Sequence, residues 1–177
     1  GGVSFQSLKL ENSSVATPYT PAPEDLNTVN LIKNSGFQNR GAHWKAGNNT
    51  AGALFINGKM VLEAGNDEYQ NIPSSLLKNK GKLYASLWLE RFDKNVIIEL
   101  RFGGSTAQKK FEGGNIKFLC SEITDFGNGN FILDTSGQGS VIVEKVSLTD
   151  KPVGVDGWLC RPEELAPDGI LKGTYQS

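Results

Sequence analysis

From residue 30 to residue 150 the apolar positions of this chain recur at every second place. In GKLYASLWLERF, Leu83, Ala85, Leu87 and Leu89 share one parity, and Tyr84, Ser86, Trp88 and Glu90 share the other. That is the period of an extended strand with one buried face. VIIELRF repeats it, with Val96, Ile98, Leu100 and Phe102 set against Ile97, Glu99 and Arg101. In GALFINGKMVLEA, apolar runs flank Asn57-Gly58, the strongest two-residue hairpin signal. Gly103-Gly104 and Gly113-Gly114 bracket a short strand, and NIKFLCSEI, NFILD and SVIVEKVSL follow, separated by Gly-Asn-Gly and Ser-Gly-Gln-Gly turns. One helical turn is predicted over Ser74–Leu77, after Pro73. Many short strands at this spacing predict an all-β fold, a β-sandwich.

The flanks read differently. Residues 8–25 run from a short alternating stretch into TPYTPAP, where Pro18, Pro21 and Pro23 fix φ and remove three backbone donors. Residues 29–37 then open with a short apolar strand and an Asn-Ser-Gly turn. Residues 1–29 are therefore expected to be the end of a preceding module with a Pro-rich linker, and residues 30–150 the sandwich. Residues 151–177 are a C-terminal extension, either packing on the sandwich or leading to a further segment. RPEELAP can form one helical turn with Pro162 at its start, and Trp158 can dock the extension. Gly1-Gly2 with no Met is expected of a piece whose natural start lies upstream.

Composition narrows the partners. The 21 glycines suit many turns, and 18 basic against 19 acidic residues leave a net charge of −1. Such balance offers no field for nucleic acid or an anionic membrane, and no apolar run approaches the ~20 residues that span a bilayer. The two cysteines make no disulfide framework: Cys120 and Cys160 are either free thiols or one bridge. With His43 the only histidine, no zinc spacing exists. There is no G-x-S-x-G elbow, P-loop or G-x-G-x-x-G. A glycosidase needs two carboxylates facing across a cleft, and Glu90 and Glu99 on a shallow sheet face do not supply that. A non-enzymatic role is expected, with no cofactor.

The candidate chemistry lies on the polar parity of the two clearest strands. If Asp93-Lys94-Asn95 joins them as neighbours in one sheet, their outward face carries Tyr84, Ser86, Trp88, Glu90, Glu99 and Arg101. Aromatic rings offer flat apolar surface to the C–H face of a pyranose, and carboxylates and guanidinium give directional bonds to its hydroxyls. Trp88, Tyr84 and Arg101 are expected at the centre of this carbohydrate site, with Glu90 and Glu99 beside them and Trp44 at its edge or in the core. The competing readings are that Trp88 is covered by the extension or by another module, and that Arg101 forms an ordinary ion pair with Glu90 or Glu99. Tyr69, in the polar stretch GNDEYQN, is read as a loop residue able to rim a groove.

These segments also carry a resemblance. NLIKNSGFQNRGAHW is similar to the opening of carbohydrate-binding modules of the family 4/9 type, GKLYASLWLE to their central strand and VIVEKVSLTD to their last. KLEN…ATPYTPAPED resembles the closing formula of modules in tail and baseplate proteins of phages that infect lactic acid bacteria and other Gram-positives. The resemblance implies a galactose-binding-like jelly roll that binds glycan on one sheet, in a virion tail or baseplate acting at the bacterial surface. Host cell-surface polysaccharide and other tail or baseplate proteins would be its partners. Two alternatives stand beside it: a structural spacer of the tail, and a binding module of a secreted glycoside hydrolase. Family 4/9 modules often hold a structural Ca²⁺ near the first and last strands. Here Gln38 and Glu144-Lys145 replace the usual acidic residues, and Asn66, Asp67 and Glu68 are read as either a substitute or a solvated loop.

Overall fold

The computed structural model describes residues 28–157. Ten strands and one helical turn follow in order: β1 Lys45–Ala46, β2 Leu54–Ile56, β3 Lys59–Glu63, β4 Asp67–Asn71, α1 Ser74–Leu77, β5 Leu83–Phe92, β6 Val96–Phe102, β7 Lys109–Glu112, β8 Phe118–Ile123, β9 Asn130–Gly137 and β10 Ser140–Thr149. They form two five-stranded antiparallel sheets, β1-β4-β9-β6-β7 and β2-β3-β10-β5-β8. We call these the first and second sheet. The chain crosses repeatedly between them, giving a β-sandwich jelly roll.

The alternating residues do what their parity predicts. Leu83, Ala85, Leu87 and Leu89 of β5 meet Val96, Ile98, Leu100 and Phe102 of β6 in one core, joined by Phe131, Leu133, Val141, Val143, Val146 and Leu148. Asn57 and Gly58 both take positive φ, 53° and 69°, which is what a tight β2–β3 hairpin requires.

Two expectations change. Residues 29–33 do not form a regular strand, although Leu31 N–H donates to the Leu148 carbonyl at 2.9 Å. The reason is Asn30, whose side chain replaces backbone pairing. Its amide donates to the Val146 carbonyl (3.2 Å), and its oxygen accepts from Leu148 N–H (3.0 Å) and Ile32 N–H (3.1 Å). The entry of the module is thus tied to its last strand by one buried carboxamide.

The second change concerns β5 and β6. They lie in different sheets, not side by side. The turn at Asp93 crosses the core: Asp93 N–H donates to the Ser140 carbonyl (3.1 Å), and its carboxylate accepts from Ser140 N–H (2.9 Å). Asp93 thereby stays with β10 in the second sheet while Val96 passes to β9 in the first. Residues 1–27 and 158–177 lie outside the described residues. The expected linker, the helical turn at Pro162, the docking of Trp158 and the pairing of Cys160 lie there too.

Candidate binding face

Because β5 and β6 face each other across the core, their outward residues point to opposite sides of the molecule. Tyr84, Trp88 and Glu90 belong to the second sheet, whereas Glu99 and Arg101 belong to the first. The expected single site combining them does not exist.

On the second sheet the polar parity is occupied. Trp88 is 6% exposed. Its ring packs on Phe118, centroids 5.1 Å apart, and its indole N–H donates to the Val155 carbonyl. Residues 150–157 therefore double back over it, and the covered reading of Trp88 is the one the structure shows. Tyr84 donates its hydroxyl to Glu122 (3.2 Å), and Glu90 pairs with Lys59. Trp44 is a core residue, 6% exposed, tilted against Phe37 with its N–H directed at the Asn34 carbonyl (3.4 Å).

The outward face of the first sheet is different. Cross-strand register puts Lys45, Tyr69, Ile132 and Arg101 in one row. Asp67, Asp134, Glu99 and Lys110 form the next. Asn71 and Asn130 stand opposite each other beyond them, amide to amide at 2.9 Å. Tyr69 is half-buried beside the apolar side chain of Ile132, and among the described residues its hydroxyl has no protein partner. Arg101 donates from Nε to Glu99 (2.9 Å) and from its terminal nitrogen to Asp134 (3.3 Å). Lys110 reaches the other Glu99 oxygen at 3.4 Å. The ion pair expected for Arg101 is thus present, with Glu99 and not with Glu90.

This face combines what a sugar requires: one flat ring with an aliphatic neighbour, and beside it carboxylates and a guanidinium held by one another. Asp67 stands directly opposite Asp134, an arrangement of like charges that costs stability on a sheet. Arg101 offsets it on one side, and the Thr50 hydroxyl donates to Asp67 (2.8 Å) on the other.

Beneath this face, Glu68 and Gln70 point inward. Gln70 bonds both backbone groups of Lys33, accepting at 2.7 Å and donating at 3.0 Å. Glu68 is 3% exposed, accepts from Ala53 N–H at 2.7 Å, and leaves its second oxygen buried without a partner. Burial pushes its carboxyl above the ordinary value, opposed by the Ala53 hydrogen bond and reinforced by Asp67. Among the described residues no group of three or more His, Cys, Asp or Glu is placed to hold a metal. Gln38 turns its amide to the Gly36 carbonyl (3.1 Å).

No family model matches the chain, and no curated protein matches it. Among solved structures it is similar to TmCBM61 in complex with β-1,4-galactotriose: 16% identity, TM-score 0.48, covering 67% of this chain and 97% of that one. It is also similar to the CBM22-1 xylan-binding domain from Paenibacillus barcinonensis Xyn10C: 10% identity, TM-score 0.34, covering 72% of this chain and 96% of that one.

Proposed function

We propose that the outward face of the β1-β4-β9-β6-β7 sheet binds a saccharide and that the protein is a non-catalytic glycan-binding module. The observation that carries this reading is the juxtaposition of the Tyr69–Ile132 strip with the Glu99–Arg101–Asp134 array in adjacent rows. Stacking a pyranose on Tyr69 removes apolar surface from water, contributing roughly 25 cal/mol per Å². The pre-paired carboxylates and guanidinium then accept and donate without reorganising. One module presents a single ring and few polar groups, so it binds weakly, and many copies on one particle compensate by avidity.

The setting follows from the Pro-rich TPYTPAPED stretch and its resemblance: a phage tail or baseplate that adsorbs to cell-wall saccharide of a Gram-positive host. The spacer alternative needs an aromatic face for another tail protein; with Trp88 covered by residues 150–157, the Tyr69 side of the first sheet is the face it would use. A binding module of a secreted glycoside hydrolase is the second reading that the same face supports.

Titration of cell-wall polysaccharide into the parent, Tyr69→Ala and Arg101→Gln is the direct test. Both variants are expected to lose binding while keeping the parent's circular dichroism. Undiminished binding in Tyr69→Ala would end the proposal for this face. Adsorption to Gram-positive cells supports the phage setting, and retention on plant polysaccharide alone supports the hydrolase setting.

A further inference from the structure

We infer that a cleft between residues 36–41 and the β2–β3 turn is a second ligand site, distinct from the sheet face. Its ligand would be a sugar or polyol bearing a carboxylate or a phosphate. The cleft measures about 570 Å³, and none of its lining residues belongs to the first sheet's face. Phe37, Phe55 and Ile56 form its apolar wall, and Gln38, Arg40 and Asn57 its polar one.

Arg40 is the one charged residue in that lining. Of the three arginines among the described residues, Arg91 and Arg101 are ion-paired, while the Arg40 side chain is exposed and has no partner among the described residues. A lone guanidinium with no carboxylate in the same lining selects an anion, and its planar fork matches carboxylate and phosphate alike. Phe55 and Ile56, the latter 50% exposed, offer the C–H face of the ligand a surface. Asn57 supplies an amide for neighbouring hydroxyls.

The loop that holds Arg40 is built at a cost. Phe37 (φ 57°) and Arg40 (φ 52°) sit in the left-handed region, which is unfavourable for a residue that carries a side chain. Such outliers persist where the surroundings over-determine them. Here the Asn34 amide donates to the Arg40 carbonyl (2.7 Å) and the Ala42 carbonyl (3.0 Å), and the Phe37 ring is buried between Trp44 and Phe55. Phe55 is pinned in turn: a Cβ at Gly41 would lie 2.8 Å from its ring. The result is a pre-organised aromatic wall facing a fixed backbone that presents a free cation.

The test is amide-resolved NMR titration of the full chain with glucuronate, with glycerol 3-phosphate, and with glucose as the neutral control. Saturable shifts at residues 37–41 and 55–58 are expected with one or both anions and not with glucose. A response to glucuronate alone assigns the site to uronic-acid glycans, to glycerol 3-phosphate alone to polyol-phosphate polymers, and to both to the anion itself. Arg40→Gln should weaken binding about tenfold or more, the loss of a charge-assisted pair. Gly41→Ala should weaken it by displacing Phe55 with Arg40 intact. Tyr69→Ala should leave it unchanged, which separates this site from the sheet face. Absence of shifts with both anions, an equal response to glucose, or full binding in Arg40→Gln would overturn the inference.

Discussion

Glu68 is a carboxyl buried in the sandwich wall, 3% exposed. It sits one position from Tyr69 and carries a buried oxygen without a partner. Its carboxyl is held above the ordinary 4.5 by burial first, against the Ala53 hydrogen bond. The folded protein therefore keeps a proton that the unfolded chain releases, and stability falls as the pH rises from about 4.5 until Glu68 ionises in place. Glu68→Gln removes that slope while keeping an acceptor for Ala53 N–H. In thermal melts the Tm of the variant minus that of the parent is expected to be more positive at about pH 7 than at about pH 4. Equal differences at both would show that folding leaves the proton affinity of the Glu68 carboxyl unshifted. Tyr69 belongs to the same scale: Tyr69→Ala removes a half-buried, outward ring, so stability should change little while saccharide affinity is lost.

Among the elements, the sandwich edges carry the most testable claims. Asn30→Ala deletes three buried hydrogen bonds and leaves the Leu148 and Ile32 N–H groups unpaired, so urea unfolding should show a loss of about 3 kcal/mol. Trp88→Ala uncovers the second sheet. It should cost about 3 kcal/mol and expose residues 150–157 to protease while saccharide binding persists. A Trp88→Ala protein that is fully stable yet unable to bind would return the site to the second sheet. Most strands were legible because their core parity is aliphatic, as in β5 and β6, and the Asn57-Gly58 hairpin because its turn chemistry is specific. The partnership of β5 and β6 was not legible. Inward parity is the same whether two strands lie side by side or face each other across the core, yet the outward faces coincide in one case and oppose in the other. β4 was hidden for another reason. Its core-facing residues are Glu68 and Gln70, bonded to the backbones of Ala53 and Lys33, so no apolar alternation marks it. Tyr69 thus read as a loop residue although it stands in a strand on the candidate face.

For the whole molecule, the two sheets divide the labour. One presents a mixed-charge, partly aromatic surface, and the other lies in part beneath residues 150–157. A near-zero net charge adds no long-range attraction for charged surfaces, so encounter with a neutral glycan should be little affected by salt. Binding isotherms for a neutral glycan at about 50 mM and about 500 mM salt should nearly superimpose, whereas those for an anionic ligand at Arg40 should weaken with salt.

The clasp at Asn30 has a mechanical consequence. Leu31 lies against Leu148, and Ser35 accepts from Val146 N–H, so the entering segment runs antiparallel to the end of β10. Tension applied between the two ends of the described fold loads that ladder from its open end, one bond after another, instead of shearing all of it together. A pull would first lift Val155 off Trp88, then open the Asn30 contacts, and only then reach the core. Under tension the fold is a soft link, and stretching single molecules should show two small steps before the main rupture, the second lost in Asn30→Ala.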